Sequence, residues 1–179
     1  MNSYLQDKDI ILRAPDLKDV DVMYKFENQT ELWQFGSATG PYSHFALQQY
    51  IEQSQNDLFI DRQLRLMIEK DKKVVGIIDV YNFDPLHNRA EVGIVVDDTC
   101  RNKGIGKTAL YLLSEYSFHH LYIHQLYAYI DETNKKSHSL FNACGFNSCA
   151  KLIDWIRADD GAYRTVQMVQ KINPYENKL

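Results

Sequence analysis

The sequence predicts one domain built on a mixed α/β sheet, and three observations carry that expectation. Apolar runs of strand length alternate with segments whose apolar residues recur at helical spacing. A mostly apolar run at 90–97 leads into a basic turn with two glycines, Arg101-Asn102-Lys103-Gly104-Ile105-Gly106, and a helical stripe follows. Several strands sit beside their sequence neighbours as hairpins, leaving too few βαβ units for a doubly wound parallel sheet. The chain of 179 residues, 45% hydrophobic and 25% charged, has material for one core.

Taken in order, residues 10–13 are a short strand. Asp16 caps a first helix in which Val20, Met23, Tyr24 and Phe26 share a face. Residues 34–43, with two glycines and a proline, read as a loop. A second helix covers 45–57, with Leu47, Tyr50 and Ile51 on one side. Strands at 64–69 and 74–81 form a hairpin around Asp71-Lys72-Lys73. A turn at 84–88 precedes the central strand at 90–97. The third helix carries the stripe Ile105, Ala109, Leu112, Leu113 and Tyr116. A strand at 125–130 follows, then a helix at 134–144 closed by Gly145 in left-handed conformation. Residues 146–157 and 162–172 form a last hairpin around Asp159-Asp160-Gly161. The order is β-α-α-β-β-β-α-β-α-β-β, a mixed, mostly antiparallel twisted sheet flanked by helices.

Composition narrows the function classes. A net charge of −4 argues against a nucleic-acid partner, because phosphate backbones need a basic face. The three cysteines, Cys100, Cys144 and Cys149, are odd in number and form no CxxC pair, which points to reduced thiols and a cytoplasmic location. Residues 1–9 are polar, and no apolar run approaches the roughly 20 residues that span a bilayer, so no membrane partner is expected.

The glycine turn is the feature with chemistry in it. Glycines let backbone approach a ligand, and the start of a helix offers unpaired N–H groups at the positive end of its dipole. A pyrophosphate held by backbone N–H groups from Asn102 to Lys107, with Arg101 and Lys103 adding charge, is the reading this suggests. A glycine turn that simply enters a core helix is the plainer alternative.

The strand, the R-x-x-G-x-G turn and the helix together resemble the acetyl-coenzyme A site of the GNAT N-acetyltransferases. A second segment agrees: Asn134-Lys135-Lys136-Ser137 through Leu140-Phe141-Asn142-Ala143-Cys144-Gly145-Phe146 looks like the N-x-x-(A/S)…GF helix of that superfamily. The runs 88–94 and 160–166 are similar to the branch holding ribosomal-protein N-terminal and spermidine/diamine acetyltransferases. The resemblance covers 8–172. It implies acetyl-coenzyme A as co-substrate, no metal, and backbone contacts to the pantetheine arm from Ile94, Val95 and Val96. It also implies cofactor contacts from residues 101–107, namely Arg101, Asn102, Lys103, Gly104, Ile105, Gly106 and Lys107, and from the Asn134 amide. By its residue type, Asn134 is equally a helix cap.

The implied reaction is attack of an amine on a thioester. An alkyl ammonium has a pKa near ~10, so only about one molecule in a thousand is nucleophilic at pH 7, and a base is useful. Glu91, a charge in a largely apolar strand, is the residue expected to serve; the alternative is a salt bridge with Arg89 or Arg62. Members of the superfamily often place a tyrosine four residues before the glycine of the GF pair. This chain has Phe141 there, which cannot donate a proton. Ser137 fits a serine of the ribosomal-protein branch and is the expected hydrogen-bond donor to the leaving thiolate; a helix serine bonded to backbone is its plainer reading. Tyr127, Tyr129 and Tyr163 are further hydroxyls.

Glu31, Trp33 and Tyr81 are the expected amine contacts, since carboxylates and aromatic faces suit a cation. The loop Phe35-Gly36-Ser37-Ala38-Thr39-Gly40 lacks an adjacent acidic pair. His120 and His124 have a metal-ligand spacing but no third ligand. Three functions stay open: a small-molecule amine acetyltransferase in the diamine or polyamine direction, a protein N-terminal acetyltransferase taking a peptide N-terminus, and a coenzyme A-binding regulatory module of weak activity. Self-association into a homo-oligomer is expected from the branch resembled.

Overall fold

The computed structural model describes residues 4–33, 40–158 and 160–176. Residues 34–39 of the expected loop, and Asp159 of the last turn, lie outside the described residues. Eight strands form one sheet: β1 (Gln6–Asp7), β2 (Ile10–Arg13), β3 (Leu64–Lys70), β4 (Lys73–Asp84), β5 (Arg89–Val96), β6 (Gln125–Asp131), β7 (Asn147–Arg157) and β8 (Tyr163–Ile172). Their spatial order is β1-β2-β3-β4-β5-β6-β8-β7. All neighbours are antiparallel except β5 and β6, which run parallel. The expected mixed, mostly antiparallel sheet and the order of its main elements are therefore observed. No helix among the described residues is long and apolar enough to cross a membrane.

The helices are α1 (Val20–Glu27), α2 (Thr30–Trp33), α3 (His44–Gln53), α4 (Leu58–Asp61), α5 (Ile105–His119) and α6 (Lys135–Ala143). The second helix is shorter than the apolar spacing suggested. It stops at Gln53, and Ser54 turns extended. Asp57 then caps the separate turn α4, its carboxylate accepting from the N–H groups of Phe59 and Ile60. An aspartate that can satisfy the free N–H groups of a new helix competes with continuing the old one. The first helix is also modified: Asp16 starts a short 3₁₀ turn at Leu17–Asp19, and α1 follows. Tyr24, expected in the core, is exposed and stacks on His44 at 4.0 Å between ring centroids.

The two faces of the sheet are covered differently. On one, α5 and α6 pack over Ala90, Val92, Val80 and Ile78. α5 buries Ile105, Leu110, Leu112, Leu113 and Phe118. At about 1.5–3 kcal/mol for each large side chain, this fixes the helix whose N-terminus carries the glycine turn. α6 buries only Phe141, which meets Phe146 edge-on at 5.0 Å. On the other face, α1 and α3 bring Met23, Phe26 and Leu47 onto Met67, Ile77 and Val95. Period-two alternation thus sends Val92, Ile94 and Val96 toward α5, and Glu91, Gly93 and Val95 toward α1 and α3.

The parallel pair β5–β6 is incomplete. Arg89, Ala90 and Glu91 pair with Gln125, Leu126 and Tyr127, and the pairing ends there. Beyond it, β5 continues to Val96 alongside β4, and β6 continues to Asp131 alongside β8. The sheet therefore splits into a V whose apex is Glu91 and Tyr127.

Candidate active site

The gap of the V lies between two helix starts. α5 begins after β5, and α6 begins after β6. In α5 the first backbone bond runs from the Thr108 N–H to the Gly104 carbonyl, so the N–H groups of Ile105, Gly106 and Lys107 precede the ladder. Gly104 has φ +78°, and a Cβ there would meet nothing within 4 Å. Its glycine is thus required by conformation, and the space over it is open. Asn102, two residues earlier, is also left-handed at φ 61°. Open space above a left-handed glycine, with ladder-free N–H groups behind it, fits a pyrophosphate. Arg101 and Lys103 are turned toward their own loop. Arg101 Nε donates to the Val96 carbonyl at 3.1 Å and pairs with Asp98, and Lys103 Nζ donates to the Thr99 carbonyl at 2.9 Å.

Along the gap, β5 has lost its β6 partner from Val92 onward, so alternate peptide groups of residues 92–96 face the opening. Ile94, Val95 and Val96 are half-buried there. Gly76 of β4 permits the close approach of β5: a Cβ at Gly76 would sit 2.4 Å from the Val95 carbonyl oxygen.

Across the gap, Asn134 caps α6. Its Oδ1 accepts from the Ser137 backbone N–H at 3.1 Å, which leaves the Nδ2 end of the amide to reach a ligand. Ser137 lies in the first turn of α6 and is half-buried. Phe141, in the place of the common tyrosine, is 3% exposed and belongs to the core. Cys144 packs as expected, its Sγ near the Lys107 carbonyl at 3.6 Å, and burial pushes its thiol pKa up.

Glu91 stands at the apex, 9% exposed. The expected alternative of a salt bridge does not hold. Arg89 turns to Asp84 at 3.2 Å, because the register places those two residues side by side. Arg62 forms the left-handed end of α4. The partners of Glu91 are neutral donors: the Tyr81 hydroxyl on Oε1 at 3.0 Å and the Asn82 amide on Oε2 at 2.9 Å. Burial and then the Glu91 charge push the Tyr81 pKa far up, so this hydroxyl stays a donor. Tyr127, beside Glu91 in the parallel register, is raised by burial first and by Glu91 second.

The same face continues with charge. Arg65 donates to both oxygens of Asp79, at 2.9 and 2.8 Å, and pairs with Glu27. Burial opposes the Arg65 charge, yet Asp79 and Glu27 outweigh it and raise its pKa. The Tyr50 ring lies 5.5 Å from the guanidinium. Three carboxylates, Glu27, Asp79 and Glu91, thus share this stretch of the face with Arg65, and Arg89, on the same side of β5, is matched by Asp84, so the sum is acidic.

The expected amine contacts are only partly gathered. Tyr81 touches Glu91. Trp33 Nε1 is committed to the Glu27 carbonyl at 2.7 Å, and Glu31 is exposed on α2. Composition could not reveal a cavity of about 280 Å³ that adjoins the apex. Arg89, Gln125, Tyr127, Tyr129, Met168 and Gln170 line it. Its only sequence signal is Tyr127 and Tyr129 on one side of a strand. Among the described residues no group of three His, Cys, Asp or Glu side chains is placed to hold a metal. His120 stacks on Tyr116, and His124 meets Glu176.

The family described as acetyltransferase (GNAT) domain matches residues 9–147. A spermidine N(1)-acetyltransferase of Vibrio cholerae is 25% identical over 156 residues, which is 86% of this chain and 85% of that protein. The fold is similar to the crystal structure of spermidine N-acetyltransferase from Vibrio cholerae in complex with CoA and spermine, with a TM-score of 0.82 at 20% identity, covering 93% of this chain and 97% of that one. It is equally similar to a ribosomal-protein-S5-alanine acetyltransferase from Vibrio fischeri, TM-score 0.82 at 18% identity, covering 97% and 98%.

Proposed function

This chain belongs to the GNAT acetyltransferase family, and on that premise we propose that it acetylates a primary amine of a small cationic molecule, of the diamine and polyamine class. The observation that carries the reading is Glu91, a buried carboxylate at the apex of the split sheet, on a face where the carboxylates Glu27, Asp79, Asp84 and Glu91 outnumber the arginines Arg65 and Arg89. An acidic, partly dry face favours an ammonium over a neutral or anionic acceptor. The relatives named for spermidine support the same class.

Acetyl-coenzyme A supplies the acetyl group as a thioester. The N–H groups of residues 102–107 hold its pyrophosphate, and the free edge of β5 at Ile94, Val95 and Val96 aligns the pantetheine arm. The Asn134 Nδ2 adds a donor from the opposite wall. Glu91 accepts the proton that the amine must lose, directly or through one water. A thiol pKa near ~8.5 makes the leaving thiolate tolerable at neutral pH, and the Ser137 hydroxyl hydrogen-bonds it. The remainder of the acceptor lies in the cavity walled by Tyr127 and Tyr129, whose ring faces suit a second ammonium. Trp33 and Glu31 close the side toward α2. The free thiols Cys100, Cys144 and Cys149 are in keeping with a reducing cytoplasm. Copies of the chain associate through β7, an exposed edge strand carrying Ile153 and Trp155, 73% and 55% exposed.

The test is thiol release from acetyl-coenzyme A against diamines, polyamines, amino sugars and short peptides, with coenzyme binding followed by calorimetry. Turnover with diamines or polyamines is expected. Turnover with peptides alone would reassign the acceptor to a protein N-terminus. Coenzyme binding with no turnover of any amine would refute the reading of Glu91 and its face.

A further inference from the structure

The partners of Glu91 reach it by an irregularity in β4. In a regular antiparallel pair only alternate residues face a given side. Tyr81 is directly opposite Glu91, so its neighbour Asn82 belongs on the far side, over the α5 core. The ladder slips here: Tyr81 pairs with Glu91 and Asp84 pairs with Arg89, so that Asn82 and Phe83 together oppose Ala90. Asn82 takes the left-handed conformation, φ 50°. Asparagine tolerates that region better than most side chains. The extra residue sends Phe83 into the core at 6% exposed and swings Asn82 onto the Glu91 carboxylate. Bulges re-aim side chains in this way beside active sites.

We propose that Asn82 is a positioning residue for the catalytic carboxylate. The bulge in β4 places its amide and the Tyr81 hydroxyl on separate oxygens of Glu91, fixing one orientation of the carboxylate at the apex of the split. The inference rests on the reading of Glu91 as the base. A carboxylate only accepts, so the amide presents Nδ2. Each oxygen, with one donor from the protein, keeps a lone pair for the acceptor's proton. Gly93 completes the arrangement. A Cβ there would fall 3.1 Å from Cε1 of Tyr81, so the bare glycine leaves the ring room to lie across β5 and reach Glu91.

The experiment compares Asn82→Gly, Asn82→Asp, Tyr81→Phe and Glu91→Gln with the unaltered enzyme. kcat and KM are measured separately with the best amine of the panel, and coenzyme Kd is measured as the check on folding. Glycine keeps the left-handed backbone and removes only the amide. Aspartate keeps the shape and sets a second carboxylate against the first. Glu91→Gln is expected to lower kcat at least ~100-fold. Asn82→Gly and Tyr81→Phe are each expected to lower kcat about 3–10-fold, and Asn82→Asp at least ~10-fold, with amine KM and coenzyme Kd unchanged. Should Glu91→Gln lose activity while both Asn82 variants keep the parent kcat, or lose kcat and raise KM together, Asn82 only shapes the bulge and the proposal is overturned. Should Glu91→Gln retain full kcat, the base lies elsewhere, and both that reading and the role of Asn82 fall.

Discussion

Replacing Gly76 by alanine tests how tightly β4 and β5 must close to form the cofactor wall. The new Cβ would stand 2.4 Å from the Val95 carbonyl oxygen, 3.2 Å from the Val96 Cα and 3.1 Å from Ile68 Cδ1. A normal carbon–oxygen contact is about 3.3 Å, so the overlap with the Val95 oxygen is roughly 0.9 Å. The isoleucine methyl can swing away; the two backbone atoms move only if β5 moves. Overpacking of this kind costs about 1–3 kcal/mol, and the backbone lies at the upper end. Restricting the unfolded chain returns about 0.4–1 kcal/mol. The net loss is about 2 kcal/mol, which for a domain of this size lowers Tm by roughly 4–8 °C. Because the displaced atoms belong to Val95 and Val96, coenzyme affinity should fall as well. Differential scanning calorimetry with and without coenzyme A measures both effects. Gly104→Ala is the control: it is strained by φ +78° but meets no atom, and about 1 kcal/mol is expected. A Gly76→Ala protein that melts within 1 °C of the parent and binds coenzyme unchanged would refute the steric argument.

Three further outcomes are expected. Glu91→Gln should leave coenzyme A affinity intact while kcat falls, a split readable by calorimetry beside the thiol assay; loss of both would make Glu91 structural. Arg65→Met strips the cation from Asp79 and Glu27, and leaving a carboxylate pair unmatched costs about 3–5 kcal/mol when buried. With the Arg65 side chain 20% exposed, the lower end is expected in urea denaturation, and loss below 1 kcal/mol would contradict the network. Asp97 has its carboxyl pulled down to about 2, first by the Lys25 ammonium and then by Thr99. A carboxylate lowered on folding stabilises above its unfolded pKa, near 3.9, and that contribution disappears as pH falls toward 2. Asp97→Asn should therefore flatten the stability profile between about pH 4 and 2; an unchanged slope would contradict the pairing.

Much of the fold was legible because its signals are local. The strand, glycine turn and helical stripe from 90 to 116 needed only periodicity and the conformational demands of Gly104, and Gly145 takes the expected left-handed conformation at φ +84°. What escaped depends on register or on competition between caps. The helix expected at 45–57 overran its end because spacing does not reveal that Asp57 caps a new turn. Arg89 and Glu91 lie on the same side of a strand, which invited a salt bridge. The ladder instead set Arg89 beside Asp84. Glu91 was singled out correctly as a buried charge, but its donors came from a bulge, and a bulge leaves the alternation of Val80, Tyr81, Asn82 and Phe83 looking like ordinary strand. The cavity beside Tyr127 and Tyr129 is assembled from three strands distant in sequence, and no single-segment pattern encodes it.

The V in the sheet has a mechanical consequence. Among the described residues only the rungs from Arg89 to Glu91 join β1–β5 to β6–β8 through the ladder; beyond them the halves are coupled by the shared apolar layer under α5. Such a joint flexes at low cost, and the amides of 92–96 that face the opening will exchange with solvent early. A ligand lying in the opening supplies the missing rungs and acts as a splint. The stiffness of this protein is then set by coenzyme concentration, and amide exchange along one edge of β5 becomes a gauge of occupancy.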